Sequence, residues 1–283
     1  MAFTLTTIYR YPVKSCRWDE LQQAEVEPWG LAGDRRWMLV DDEGAVVTAR
    51  EHRRLLLVTQ RLDGTALQLQ APGHPSLTVK VPEGELTPVS VWSSQLDATP
   101  AGPDAHAWFS EVAGVSLRLV YLDDPLRRRP NPRFSEAGDR VSFADGYPLL
   151  LASEASLASL NRWIAEGPRA SEGPLPMTRF RPNVVVSGAA PWAEDGWRRL
   201  RIGNVTFRAV KGCDRCVLTM IDPETLMTTK EPIATLARYR RWDGATWFAM
   251  NLIPDGVAAG ATIRVGDPVE ILEEVDAPDG PPH

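Results

Sequence analysis

The first 120 residues restrict the fold most, because short β-branched or alternating runs recur there between Gly, Pro and Asp turn residues. "FTLTTIYRY", "LQQAEVEP", "RRWMLVDDEG" with "AVVTAR", "LLLVTQRLDGTALQLQ", "LTVKVP" and "PVSVWS" are too short and too β-rich for helices. Strands of this length and spacing predict an all-β barrel or sandwich unit. Asp41 to Gly44 and Asp63-Gly64 are the expected hairpin turns, since Asp and Gly tolerate the positive φ of tight turns. One helix interrupts the strands: Asp104 caps it, Trp108, Phe109 and Val112 share a face, and Gly114 ends it.

From Asp123 to Arg140 the chain changes to "DDPLRRRPNPRFSEAGDR", whose prolines and like charges predict an irregular, surface-exposed linker. The second half mixes helices and strands. "SEASLASLNRWIAEGP" predicts an amphipathic helix, with Ser153 as cap, Leu157, Leu160 and Ile164 on one face, and Gly167-Pro168 as the stop. "PNVVVSG", "RRLRIGNVTFRAVKG", "CVLTMID", "TWFAMNLIP" and "ATIRVGDPVEIL" read as strands, and "EPIATLARYR" as a shorter helix. The acidic, Pro/Gly-rich "EEVDAPDGPPH" reads as a disordered tail over 273–283.

A chain of 283 residues with an apolar fraction of 43% can bury one or two sizeable cores. Its net charge of −6 argues against broad nucleic-acid binding. Only Lys14, Lys80, Lys211 and Lys230 are lysines, so nearly all positive charge is carried by arginine, whose forked donors suit phosphate and carboxylate. Three cysteines make no disulfide framework, and "MAFTLTTIYRYPV" carries no secretory pattern. A reduced, cytoplasmic protein is expected. No apolar stretch approaches the roughly 18 residues of a bilayer span, so no membrane association is expected.

"KGCDRCVLTMIDPET" holds Cys213 and Cys216 in a C-x-x-C spacing. Four readings stand beside one another. A closed zinc site needs a second ligand pair, and only Cys16 and four scattered histidines are available. A thioredoxin-like dithiol opens a helix, whereas "VLTMI" prefers a strand. Two inert, buried cysteines are the third possibility. A single reactive thiolate is the fourth, favoured by Arg215 beside Cys216 and by Lys211 five residues earlier. Basic groups also cluster elsewhere: Lys14 and Ser15 in "YPVKSC", Arg35 and Arg36 in "GLAGDRRW", and Arg179, Arg181 and Asn183 in "RFRPN" form candidate anion cradles.

"YPVKSC", "GDRRWMLVDDEG", "SEASL", "FRPN", the "C.RC..T..DPET" segment, "KEP..TL..YR" and "VGDPVEIL" follow one another over Leu5 to Leu272. In that order they resemble MOSC proteins carrying a MOSC N-terminal β-barrel domain, the group of the mitochondrial amidoxime-reducing components and their bacterial counterparts. The resemblance implies an α+β, strand-rich fold: an N-terminal β-barrel domain over 1–122 and a C-terminal MOSC β-barrel domain over 123–272 with a few flanking helices. It also implies a molybdenum–molybdopterin cofactor, with Cys216 as the protein ligand to molybdenum. Lys14, Ser15, Arg35, Arg181, Asn183 and Arg215 would bind that cofactor by matched motif. Asp145, Phe248 and Asn251 fall in further cofactor-proximal segments, while Gly146 and Tyr147 depart from the small hydroxyl residues that relatives carry there.

The activity so implied is reduction of N-hydroxylated substrates of amidoxime or hydroxylamine type by oxygen removal at molybdenum. The chain has too few cysteines for an iron–sulfur cluster beside a molybdenum ligand, and no strand–GxGxxG–helix unit. Electrons are therefore expected from a separate protein of ferredoxin, flavodoxin or cytochrome b5 type with its reductase. The rival function is a molybdenum-cofactor or sulfur carrier, like the MOSC module that ends cofactor sulfurases. No pyridoxal-phosphate domain precedes the module here, which weighs against that rival and against a pyridoxal-phosphate label.

Overall fold

The computed structural model describes residues 3–283. Seven strands close a barrel: β1 (Phe3–Arg10), β2 (Leu149–Ser153), β3 (Val184–Ser187), β4 (Trp197–Ile202), β5 (Val205–Asp214), β6 (Ala245–Asp255) and β7 (Pro268–Glu274). Around the wall they run β2-β3-β1-β7-β4-β5-β6, and β6 pairs back onto β2 from Leu149↔Leu252 to Leu151↔Met250. Closure leaves these strands no free edge. Only β2 and β3 are parallel, which demands a crossover, and helix α2 (Glu154–Ala165) supplies it.

Alternation explains which residues fill the barrel. Along β5, Val205, Phe207 and Ala209 point inward between half-exposed neighbours and meet Leu200, Leu252 and Val269. In β1, Leu5 and Ile8 both point inward although they are three residues apart. A bulge between Leu5 and Thr7 resets the two-residue period there.

β1 pairs with both β3 and β7, so the N-terminal strand completes the C-terminal barrel. Strand Gln23–Glu27 pairs likewise with Thr262–Arg264. The expected division after residue 122 is thus crossed by three strand pairings. The strand-rich α+β class holds, with helices α1 (Pro103–Ala113), α2 and α3 (Ile233–Tyr239) flanking the sheets.

The rest of the N-terminal half gathers small sheets. Strand Trp37–Val40 pairs with Arg118–Tyr121, and the hairpin Thr87–Val91/Ser94–Pro100 extends that sheet. Its alternate residues serve two cores: Trp37 and Leu39 pack with Trp108, Phe109 and Val112 of α1, while Met38 and Val40 pack with Val89, Val120 and Phe143. Both expected turns form, with Gly44 at φ 85 and Gly64 at φ 57. Gly114 closes α1 at φ 76. Ser153 occupies the N-cap of α2 by backbone, yet its buried hydroxyl makes no capping bond.

Asp104 lies within the first turn of α1, whose N-cap is Gly102, and three further local expectations change. Residues 217–220 form a single 3-10 turn, not a strand, because the Cys216 carbonyl accepts from both Thr219 N and Thr219 Oγ1. The Asp123–Arg140 segment is not merely a solvated linker. Within it Arg128 is 5% exposed and donates to the carbonyls of Ser142, Ala144 and Asp145, bracing the loop that carries Asp145. The tail expected to be disordered lies against β5: the Gly212 N–H donates to Pro282 O at 2.8 Å, and His283 packs 5.3 Å from Trp247. A Cβ at Gly212 would sit 2.5 Å from Pro281, so only glycine permits that approach.

Candidate functional site

Two interruptions at the end of β5 build one wall of the site. Pairing with β6 slips between Ala209 and Lys211 and again between Gly212 and Asp214. Each bulge turns the strand and re-aims its side chains. The chain then leaves the barrel as Cys213-Asp214-Arg215-Cys216, with Lys211 and the cysteine loop facing a cavity of about 320 Å³. Opposite stand Lys14 and Ser15 after β1, Arg35 before strand Trp37–Val40, the loop Ala144–Tyr147 before β2, and Arg179 to Asn183 before β3. Both halves of the chain therefore contribute.

The cavity is strongly electropositive. Seven of its lining residues are Lys or Arg, against two carboxylates, Asp145 and Asp214. Lys14 is buried; its Nζ donates to Phe143 O at 2.9 Å and to the Asp145 carboxylate. Burial pulls Lys14 down to about 8 even though Asp145 favours its charge. The Asp145 side chain is 59% exposed at the cavity face. Partial desolvation pushes its carboxyl upward, but Lys14 and Arg50 outweigh this and hold it well below the usual carboxylate range. A cluster of buried like charges destabilises itself unless an anion joins it.

Three of the cradle residues hold their backbones in the left-handed region: Ser15 at φ 71, Arg35 at φ 46 and Arg181 at φ 55. Non-glycine residues rarely stay there, and strain of this kind concentrates at binding sites. Surrounding bonds fix the conformations. Arg35 Nη1 donates to Asp34 at 2.6 Å and to Asn183 Oδ1 at 2.8 Å, and Arg181 Nη2 donates to Cys16 O at 2.9 Å. The guanidiniums of Arg35 and Arg181 lie 4.2 and 4.4 Å from the Tyr11 ring centroid. Asn183, 1% exposed, spends its amide on Arg35, Leu150 N and Tyr9 O, so it orients Arg35 and keeps little for a ligand.

The two cysteines have different neighbours, and not those that sequence adjacency suggested. Arg215 Nη1 lies 2.8 Å from Cys213 Sγ, and its Nη2 donates to Phe180 O. Burial pushes the Cys213 thiol up, with Arg215 opposing. Cys216 is instead approached by Arg50, whose Nε stands 3.4 Å from Cys216 Sγ while Nη2 donates to Asp145 at 3.1 Å. Both cysteines are free thiols. No group of three or more His, Cys, Asp or Glu suited to a closed metal site exists among the described residues.

Lys14, Ser15, Arg35, Asp145, Arg181, Asn183, Arg215, Cys216 and Asn251 all line this single cavity. Phe248 does not: it is fully buried behind the wall, stacked 4.0 Å from Phe180, and acts as packing. Arg50 is a basic lining residue that the sequence does not announce, because "VTAREH" resembles an ordinary solvated strand end. Its only sequence signal is arginine in an arginine-rich chain.

The closed barrel thus opens on a cation-lined cavity with two thiols in its wall, an arrangement whose charge suits an anionic ligand. The chain belongs to the MOSC family: the MOSC domain matches residues 138–270, and the MOSC N-terminal beta barrel domain matches residues 2–116. Among curated proteins it is 33% identical to mitochondrial amidoxime-reducing component 1 of Mus musculus over 95% of this chain and 82% of that protein. The Homo sapiens protein of the same name is also 33% identical, over 95% of this chain and 83% of the relative. Mitochondrial amidoxime reducing component 2 of Rattus norvegicus is 33% identical over 94% of this chain and 82% of the relative. These names overturn the expected cytoplasmic location, since the curated relatives are mitochondrial components. Among the described residues no helix is long and apolar enough to cross a membrane.

Proposed function

We propose that this protein is a molybdenum-cofactor-dependent reductase of N-hydroxylated compounds, with Cys216 as the metal ligand. The observation that carries this reading is the cavity itself, in which seven basic side chains and the thiols of Cys213 and Cys216 converge on about 320 Å³. The donor set fits the cofactor. Lys14, Arg35 and Arg181 supply charge-assisted hydrogen bonds for a phosphate and the pterin tail, Ser15 and Asn251 supply neutral polar groups, and Cys216 supplies one soft sulfur. When bound, the cofactor supplies two-electron redox chemistry, and the protein supplies binding, orientation and electrostatics.

Each side chain then has a stated task. Asn183 and Asp34 hold the Arg35 fork in place. Asp145 links Lys14 to Arg50, and Arg50 keeps an N–H directed at the Cys216 sulfur. A hydrogen bond to a ligating sulfur steadies its orientation and moderates its charge. Arg215 anchors the cysteine loop to Phe180 O. The names of the relatives support an amidoxime as substrate, and re-reduction would come from a separate electron-transfer protein of ferredoxin, flavodoxin or cytochrome b5 type.

The test is molybdenum-loaded protein with an artificial electron donor and an amidoxime. The amidine should appear, and Cys216→Ala should abolish it. Molybdenum-loaded protein that leaves every amidoxime untouched would instead support a cofactor carrier.

A further inference from the structure

The hairpin Thr87–Val91/Ser94–Pro100 turns on Trp92 and Ser93, with Ser94 facing Val91. Two-residue turns need positive φ, and Asn or Gly normally provides it. Here Trp92 sits at φ 53. A bulky side chain in the left-handed region strains the backbone, and burial does not offset the strain, because Trp92 is 47% exposed. Its ring contacts instead belong to the site. The Arg50 guanidinium lies 4.7 Å from the ring centroid and Lys14 Nζ lies 5.5 Å from it. Arg50 in turn reaches Cys216 Sγ at 3.4 Å, so one guanidinium separates the indole from the sulfur.

We propose that Trp92 is a specificity-determining residue, an aromatic wall at the cavity mouth on which a planar aryl N-hydroxylated substrate stacks with its N–O group directed inward to Cys216. The proposal rests on the reductase reading above. A neutral aryl ring suits the position, since offset stacking on an indole is favourable and a cationic substrate would meet Lys14 and Arg50. A small aliphatic amidoxime has no ring to stack and gains nothing from Trp92.

The experiment compares benzamidoxime with acetamidoxime on molybdenum-loaded wild type, Trp92→Asn and Trp92→Phe. In Trp92→Asn the KM for benzamidoxime should rise about three- to tenfold, the value of one aromatic pair. The KM for acetamidoxime and both kcat values should stay within about twofold. Trp92→Phe should keep most of the preference. Asparagine accepts positive φ, so the thermal midpoint of Trp92→Asn should not fall, which separates lost recognition from lost folding. Calorimetric titration of each amidoxime without reductant should give the same order. Equal changes for both substrates, or none, would overturn the proposal. Wild type that reduces neither compound defeats the reductase reading, and the calorimetric comparison still decides the role of Trp92.

Discussion

At the level of single residues, Lys14 offers a sharp test of the anion cradle. Burial holds it near 8, so Nζ is charged at neutral pH and loses its charge as the pH passes that value. Affinity of the cofactor-free protein for inorganic pyrophosphate, measured calorimetrically, should therefore fall between pH 7 and pH 9, and Lys14→Gln should flatten that fall. In the unfolded chain the lysine keeps its proton up to about 10.4. Between the two values the unfolded chain binds more protons, so this residue makes folding more favourable as the pH rises. The cradle was largely legible in sequence because "YPVKSC" and "RFRPN" set basic and polar residues beside turn-forming ones. The sulfur contacts were not. Arg215 was matched to Cys216 by adjacency, but neighbouring side chains leave an extended chain in different directions, and its guanidinium went to Cys213. The Arg50–Cys216 contact spans 166 residues, and no local pattern signals it.

At the level of elements, the β5 bulges and the buried edge of α2 carry most of the consequences. Bulges insert one residue without altering composition, so "RRLRIGNVTFRAVKG" is legible as strand while its final twist into the cavity is not. The 3-10 turn after Cys216 was hidden too, because "VLTMI" favours β backbone and only the Thr219 bonds to Cys216 O decide otherwise. Behind α2, Glu194 is fully buried and accepts from Ser156 Oγ at 2.8 Å, while its Oε1 has no partner. Burial raises its carboxyl to about 7. The folded state thus binds more protons than the unfolded one between about 4.5 and 7, and stability falls as the pH rises through that window. The cost at pH 8 is about 3 kcal/mol. Chemical denaturation of Glu194→Gln should show higher stability than wild type at pH 8 and a flatter pH profile. A variant less stable at pH 8 would contradict this.

At the level of the whole molecule, β1 ties the two halves together. Sequence composition located the change of character near residue 123, but strand pairing is non-local, and β1 found its partners at Val184–Ser187 and Val269. A fragment beginning at residue 123 lacks one of seven barrel strands and exposes the edges of β3 and β7. It should be protease-sensitive and without a cooperative thermal transition, whereas the same fragment with 3–10 restored by a linker should resist protease and melt cooperatively. Interleaving also explains the site, since a cavity built from both halves persists only while the barrel is closed.

On the proposed reading Cys216 rather than Cys213 would hold molybdenum. Metal and pterin analysis of protein produced in a host competent for molybdenum-cofactor synthesis decides between the two cysteines. Wild type and Cys213→Ala should carry molybdenum near one per chain, and Cys216→Ala should have lost it. Loss from Cys213→Ala with retention in Cys216→Ala, or zinc in place of molybdenum, would contradict the account.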